Sequence, residues 1–403
     1  MPGDEVVVDE LLAGPRGRRF LAELAEWRLA PEERWSLPAW AGPAMGRHSG
    51  DDLPSDLRGA CLEQLQQLVD RVDLHALVGV RWPEELLEPL AASVDSARYW
   101  QDVDAVDGVL ADPRAVEVLR PLAAPVLAAP ATTWWRDDVD LGLQQHVDWL
   151  WGSPAGRQAP VLTGGRRALR DQREEETVRE ARERREHPGL ARAPWSGAWW
   201  SSPSHVDGVV ATSPVLRPLR SKEVLPVGLA LVEDASDDGR AVLRPLRARP
   251  DARVLEIHSA RAWCDLVEAH PREVTWSRGL DWQLSTGWAG SWALPDWASV
   301  AREWDGVHLS VLGHLAVSGR LLTTTVTGEQ RGALAPGPAR TLLAGWSPGQ
   351  TFWLTDALEA AGDAQRWRRD EQWRGDLGWS LAEEGGPHRR GRSPGRPGQW
   401  SSG

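Results

Sequence analysis

The apolar residues of this chain change period part-way along it, and that change limits the folds open to it. From Val6 to about Trp151 they recur at three- and four-residue spacing, as at Leu62, Leu65, Leu68, Val69 and Val72, with acidic and Gln residues between them. One face of a helix has that period. After Trp200 they gather instead into short runs, several holding β-branched residues, with the length and composition of strands. An α+β protein is predicted, an all-helical domain followed by an α+β domain with a mixed or antiparallel sheet. A length of 403 residues is ample for two such units.

Proline and glycine mark the boundaries. Breaks fall at Pro31, Pro38 to Pro43, Pro54, Pro83 and Pro113, where Pro ends or begins a helix. Asp112 before Pro113 is an N-cap followed by Pro at the first helical position. Gly152 to Gly165 reads as a linker, and Arg166 to His187 as a highly charged helix in which Glu175 precedes Arg179 and Glu180 precedes Arg184 by four residues. With almost no apolar stripe, this helix is expected to lie solvated or to bridge two domains. The expected division is a helical domain over 1–151, a linker with the charged helix over 152–200, an α+β domain over 201–369 and a disordered Gly/Pro/Arg tail over 370–403.

Within the third segment, strands are predicted over Val206–Ala211, Leu225–Val232, Ala241–Leu246, Arg253–His258, Val274–Trp276, Val307–Ser310, Leu321–Val326, Thr341–Ala344 and Thr351–Leu354. Helices are predicted over Ser259–Ala269 and Pro295–Trp304, opened by Ser259 and by Pro295-Asp296. His146-Val-Asp148 falls in the helical stretch and reads as helix.

Trp supplies 25 residues against 2 Phe and 1 Tyr. Asn is absent, and Lys and Ile occur only at Lys222 and Ile257. Residues with AT-rich codons are replaced by residues with GC-rich ones, so a high-GC genome accounts for the skew. Trp is then expected to take over the core roles of Phe and Tyr first, and to stack on ligands second.

The balance of 46 basic against 58 acidic residues gives a net charge of -12, which makes nucleic acid an unlikely partner. Cys61 and Cys264 alone make neither a disulfide framework nor a zinc site. The acidic start Met1-Pro-Gly-Asp-Glu is unlike a secretion signal, and the longest uncharged apolar runs, Pro121 to Ala131 and Val224 to Val232, are too short to span a membrane. A soluble, cytoplasmic protein without a membrane partner is expected.

The chain has no phosphate-binding G-x-x-x-x-G-K-[ST] loop, no G-x-G-x-x-G after a strand and no H-E-x-x-H helix. G-x-S-x-G occurs at Ser347 and Ser393, but Pro follows each Ser and lacks the N–H that a hydrolase oxyanion hole requires. Cys264 sits on a predicted core face and reads as inert. His308 and His314 flank a Gly-containing turn without a third ligand, so no metal site is expected.

The densest candidate region runs from Arg253 to Ser310. His258 stands where a strand gives way to a helix, a place where functional side chains are displayed. Trp276, Trp282, Trp288, Trp292, Trp297 and Trp304 follow, interleaved with Gly287, Gly290 and Ser291, which reads as a large loop. A cleft lined by Trp276, Trp282, Trp288 and Trp292, with His308 beside it, would stack a sugar, a nucleobase or a cationic group. The alternative is a loop pinned to the sheet by its own indoles.

The strings Leu12–Arg19, Asp95–Trp100, Leu294–Trp297, Asp305–Leu309 and Leu343–Trp346 resemble segments of uncharacterised proteins from high-GC actinobacteria. That resemblance covers both halves of the chain and implies one co-inherited unit, with no activity attached. The order of a His-ending strand, a helix and a Val-His-Leu-Ser strand also resembles ADP-ribosyltransferases. The resemblance implies NAD held near His258, Ser310 and Glu329, although the Tyr of that family's pattern is missing. Three readings follow: binding of a small molecule or protein partner through a Trp-lined surface, an NAD-dependent transferase, or a structural scaffold. Whether the chain is an enzyme stays open, and no cofactor is assigned outside the transferase reading.

Overall fold

The computed structural model describes residues 2–28, 54–150, 159–187, 197–217, 220, 224–233, 239–327, 338–369 and 378–382. Its amino-terminal part is mostly helical: α1 (Pro2–Ala13), α2 (Pro15–Trp27), α3 (Ser55–Asp70), α4 (Leu74–Val78), α5 (Glu84–Asp95), α6 (Ala105–Leu110) and α7 (Pro113–Ala128), closed by a 3-10 turn over Pro130–Arg136. Asp73, Asp104 and Asp112 each turn a side-chain oxygen onto the first free amides of α4, α6 and α7. The rest of the chain alternates strands and helices: β1 (Gln144–Trp149), α8 (Gly165–Glu186), β2 (Val210–Thr212), β3 (Val215–Leu216), β4 (Leu225–Pro226), α9 (Val227–Ala230), β5 (Arg240–Ala248), β6 (Val254–Ile257), α10 (Ala260–Ala269), β7 (Pro271–Glu273), α11 (Thr275–Thr286), β8 (Ala293–Pro295), α12 (Trp297–Val300), β9 (Gly306–Leu309), α13 (Val311–Val317), β10 (Leu322–Thr327), β11 (Pro338–Thr341), β12 (Thr351–Trp353), β13 (Leu358–Ala360), β14 (Gln365–Arg369) and β15 (Trp379–Leu381). The fold class is α+β. No helix among the described residues is long and apolar enough to cross a membrane.

The helical core gathers Phe20, Leu21, Leu24, Leu65, Leu87, Leu119 and Trp135, and takes in Val227, Leu231, Val311, Leu312 and Leu315 from later in the chain. Between α1 and α2, Gly14 meets the backbone of Leu315 and Ala316 so closely that a β-carbon would overlap it. A second core holds Ile257, Trp263, Trp282, Trp292, Val307, Leu309, Trp346 and Phe352.

Several elements differ from the sequence expectation. His146-Val-Asp148 lies in strand β1, not in a helix, and pairs antiparallel with β5, His146 opposite Arg244. The partner that satisfies its backbone lies about a hundred residues downstream, so local spacing could not reveal it. The Trp-rich segment predicted as a strand at Val274–Trp276 and then a loop is instead helix α11. Burial of Trp276, Gly279 and Trp282 outweighs the poor helix propensity of Trp, Thr and Gly. Gly287, at φ 73°, takes the left-handed position that ends it. Only Leu225–Pro226 of the strand expected over Leu225–Val232 is extended, and α9 follows directly. Trp379–Leu381, inside the segment expected to be a disordered tail, pairs with β14. The charged helix α8 docks instead of lying free: Leu169 enters the second core, and Glu176 is buried between Arg272 and Arg278.

Two sheets matter for the site. Strand β5 pairs antiparallel with β1, β13 and β14, and β15 extends the edge beyond β14. The other sheet has the order β2-β12-β9-β6, antiparallel except for the parallel pair β6 and β9. Cross-strand partners share a face. Ala211, Phe352, Val307 and Leu255 therefore form one row, against the second core, while Val210, Trp353, Gly306 and Val254 lie on the opposite face, which packs on Leu246, Ala248 and Leu358 of the first sheet.

Candidate functional site

On that opposite face the next row is polar. The register places Thr212, Thr351, His308 and Glu256 side by side across all four strands. Thr212, Thr351 and His308 are buried, and buried polar groups need partners. Thr212 Oγ1 donates to Gln144 Oε1 at 2.6 Å and accepts from Trp353 Nε1 at 2.8 Å. His308 Nδ1 hydrogen-bonds the Glu256 carboxylate, whose other oxygen accepts the Val139 N–H at 3.1 Å. Thr351 Oγ1 has no hydrogen-bond partner among the described residues.

Two residues beyond Glu256 on the same strand alternation stands His258, just past the end of β6. Its Nε2 meets Asp138 Oδ1 at 3.0 Å, while its Nδ1 is buried without a partner among the described residues. Asp138 comes from the segment after the 3-10 turn, the same segment that supplies the Val139 amide to Glu256. Asp138, Glu256 and His258 each place a ligand atom within 4.8 Å of the others. His258 is partly exposed and Asp138 largely so, which leaves the cluster open to solvent on one side.

One imidazole and two carboxylates are donor types that open divalent-metal sites use, where three protein ligands leave positions for water. The His308 bond to Glu256 has the form of the outer-shell contacts that orient ligating carboxylates. A second group, Glu183, Glu186 and His187, comes from the last turn of α8 and the residue that caps it.

The structure brings some of the sequence-predicted residues here and puts others elsewhere. His258, His308 and Ser310 stand at or just past the carboxyl ends of the parallel pair β6 and β9, each with its own separate partners. The Ser310 hydroxyl is buried and occupied, accepting from the Gly313 N–H at 3.0 Å as the N-cap of α13 and donating to Ile257 O at 3.3 Å. Glu329 lies outside the described residues. Trp276, Trp282 and Trp292 are buried. Trp282 Nε1 donates to Trp199 O at 2.7 Å and its ring packs edge-on against Trp292, while Trp276 Nε1 donates to His187 O. Trp288 alone of the four stays half-buried, under the Arg340 guanidinium at 4.9 Å.

Glu256 and Asp138 did not stand out in the sequence. The pattern Glu256-x-His258 on a strand was a signal for the first, since period two puts both side chains on one face. Asp138 lies 120 residues from His258 in the chain and had none. No family model, curated protein or solved structure matches the chain.

Proposed function

We propose that this protein binds a divalent first-row transition-metal ion, of the zinc or manganese type, through Asp138, Glu256 and His258. The carrying observation is the convergence of three ligand atoms within 4.8 Å from two separate segments, on a carboxylate already held by His308. Two carboxylate charges offset the ion's charge, and the exposed Asp138 side leaves room for bound water. Such an ion supplies Lewis acidity and lowers the pKa of that water, which makes metal-assisted hydrolysis the matching reaction class. The free, buried Cys61 and Cys264 support placement in the reducing cytoplasm.

Calorimetric titration of chelator-treated full-length protein with zinc or manganese tests this. The expected result is one saturable site per chain, lost in His258→Ala and in Glu256→Gln, weakened about 10- to 100-fold in His308→Gln, and unaffected in Glu183→Gln. Equal affinity in the wild type, His258→Ala and Glu256→Gln would sink the proposal. A second reading is favoured by the 3.0 Å contact of His258 with Asp138, a hydrogen-bonded lock that holds residues 137–139 on the sheet. In that case His258→Ala lowers stability and no stoichiometric metal binding occurs in any variant.

A further inference from the structure

The amino-terminal end of α2 carries Arg16, Arg18 and Arg19 in the sequence Pro15-Arg-Gly-Arg-Arg19, and their electrostatic circumstances differ. Arg16 is ion-paired with Asp107. Arg19 lies 2.7 Å from Glu23 and also faces Asp104 and Asp107. Between them these contacts neutralise both aspartates of α6 and its N-cap.

Arg18 has no carboxylate partner among the described residues. Its Nη1 donates to the carbonyls of Leu12 and Ala13 at the end of α1, each at 2.9 Å, and its Nε is buried with no partner among the described residues. Burial pushes this guanidinium down to about 10 against the attraction of Asp107, and the like charges of Arg16 and Arg320 push the same way. A largely desolvated cation that Asp107 attracts only from beyond ion-pair distance is expensive. The fold tolerates it beside a cavity of about 270 Å³, with room for a small ion, whose wall includes Arg16, Arg18 and Arg98 together with Asp104 and Asp107, the two carboxylates that Arg16 and Arg19 already engage.

We infer that this cavity binds a small oxyanion of the phosphate or phosphomonoester class, with Arg18 as the residue that grips it. The guanidinium offers fixed, planar N–H donors suited to such oxygens. Anion binding supplies the direct counter-charge that Arg18 lacks among the described residues, in a chain whose overall charge is -12, so the attraction is local and not a property of the whole surface. The site shares no residue with the Asp138, Glu256 and His258 cluster and does not depend on it.

The test is thermal melting of the full chain with increasing inorganic phosphate at constant ionic strength, against chloride. A saturable rise in Tm is expected, with apparent affinity weakened about tenfold or more in Arg18→Gln, the loss of one charge-assisted contact, and unchanged in Arg167→Gln on the exposed face of α8. A phosphate response identical in wild type and Arg18→Gln, or none at millimolar phosphate, overturns the inference. Should Arg18→Gln fail to fold, phenylglyoxal labelling of the wild type read by peptide mass spectrometry decides. Protection of Arg18 by phosphate supports the site, and labelling of Arg18 that is indifferent to phosphate refutes it.

Discussion

Glu180 caps a helix to which it does not belong: its carboxylate accepts the backbone N–H of Trp276 and that of Ser277, each at 2.8 Å, at the start of α11. The first amides of a helix have no partner within it, and their partial positive charge favours an anion. Val274, the residue in the N-cap position, provides no side-chain cap. The charged helix α8 thus performs a task that the local sequence of α11 leaves undone.

Replacing Glu180 with Ala leaves two amides uncapped in a buried setting. A loss of about 1–2 kcal/mol is expected, in the range of N-cap deletions, with Glu180→Gln retaining part of it through its remaining carbonyl oxygen. Urea unfolding midpoints of the three proteins check the order wild type, Gln, Ala.

Gly14 is a close backbone contact between the first helices and α13. A β-carbon there would lie 1.9 Å from Leu315 O and 2.8 Å from two backbone atoms of Ala316. Backbone on both sides cannot yield as a flexible side chain can, so Gly14→Ala should cost about 3 kcal/mol, the upper part of the range for overpacking. Gly79→Ala is the control: its nearest neighbour would be 3.4 Å away, and its stability should stay close to wild type. Equal melting temperatures for the two variants would show that α2 and α13 can separate at little cost.

Two enclosed groups make stability depend on pH with opposite signs. Burial raises Glu233 from its ordinary 4.5 to about 7, partly countered by Arg16 and Arg98, and lowers His314 from 6.5 to about 3, with Arg16 adding to the effect and a hydrogen bond to Trp346 O opposing it. Between pH 4.5 and 6.5 the native state keeps a proton on Glu233 that the unfolded chain has lost, so this contribution falls as pH rises. Over the same interval the unfolded chain carries a proton on His314 that the native state refuses, so that contribution rises. Each slope is about 1.4 kcal/mol per pH unit, and they cancel. Below pH 4.5 the His314 slope is uncompensated and stability falls toward pH 3, while from 6.5 to 7 the Glu233 slope alone lowers it slightly. Urea midpoints measured against pH should show this plateau. Glu233→Gln should convert it into a rise from pH 4.5 to 6.5, and a variant profile that keeps the plateau would contradict the assignment.

What local chemistry specifies was legible in the sequence. Asp112 before Pro113 starts α7, Ser259 starts α10 and Asp296 starts α12, each with its side chain on an early amide. Strands β6 and β9 fall where the short apolar runs predict them, because Val254-Leu-Glu-Ile257 and Gly306-Val-His-Leu309 each alternate between two faces. The switch from a mostly helical first part to a strand-containing second part follows from the same periodicities, which depend on neighbours a few residues apart.

The tertiary structure decided the rest, because the deciding partners are far away in the chain. Strand β1 exists because β5 pairs with it, and α11 is a helix because its Trp residues are enclosed and Glu180 caps it from α8. The Trp residues that suggested a binding surface were drawn inward by the area they bury, leaving Trp288 half-buried. Asp138 meets His258 across 120 residues, and Asp107 and Asp104 pair with Arg16 and Arg19 while Arg18 has no direct carboxylate contact among the described residues. Pairing, burial and charge compensation are sums over the folded chain, and no window of sequence contains them.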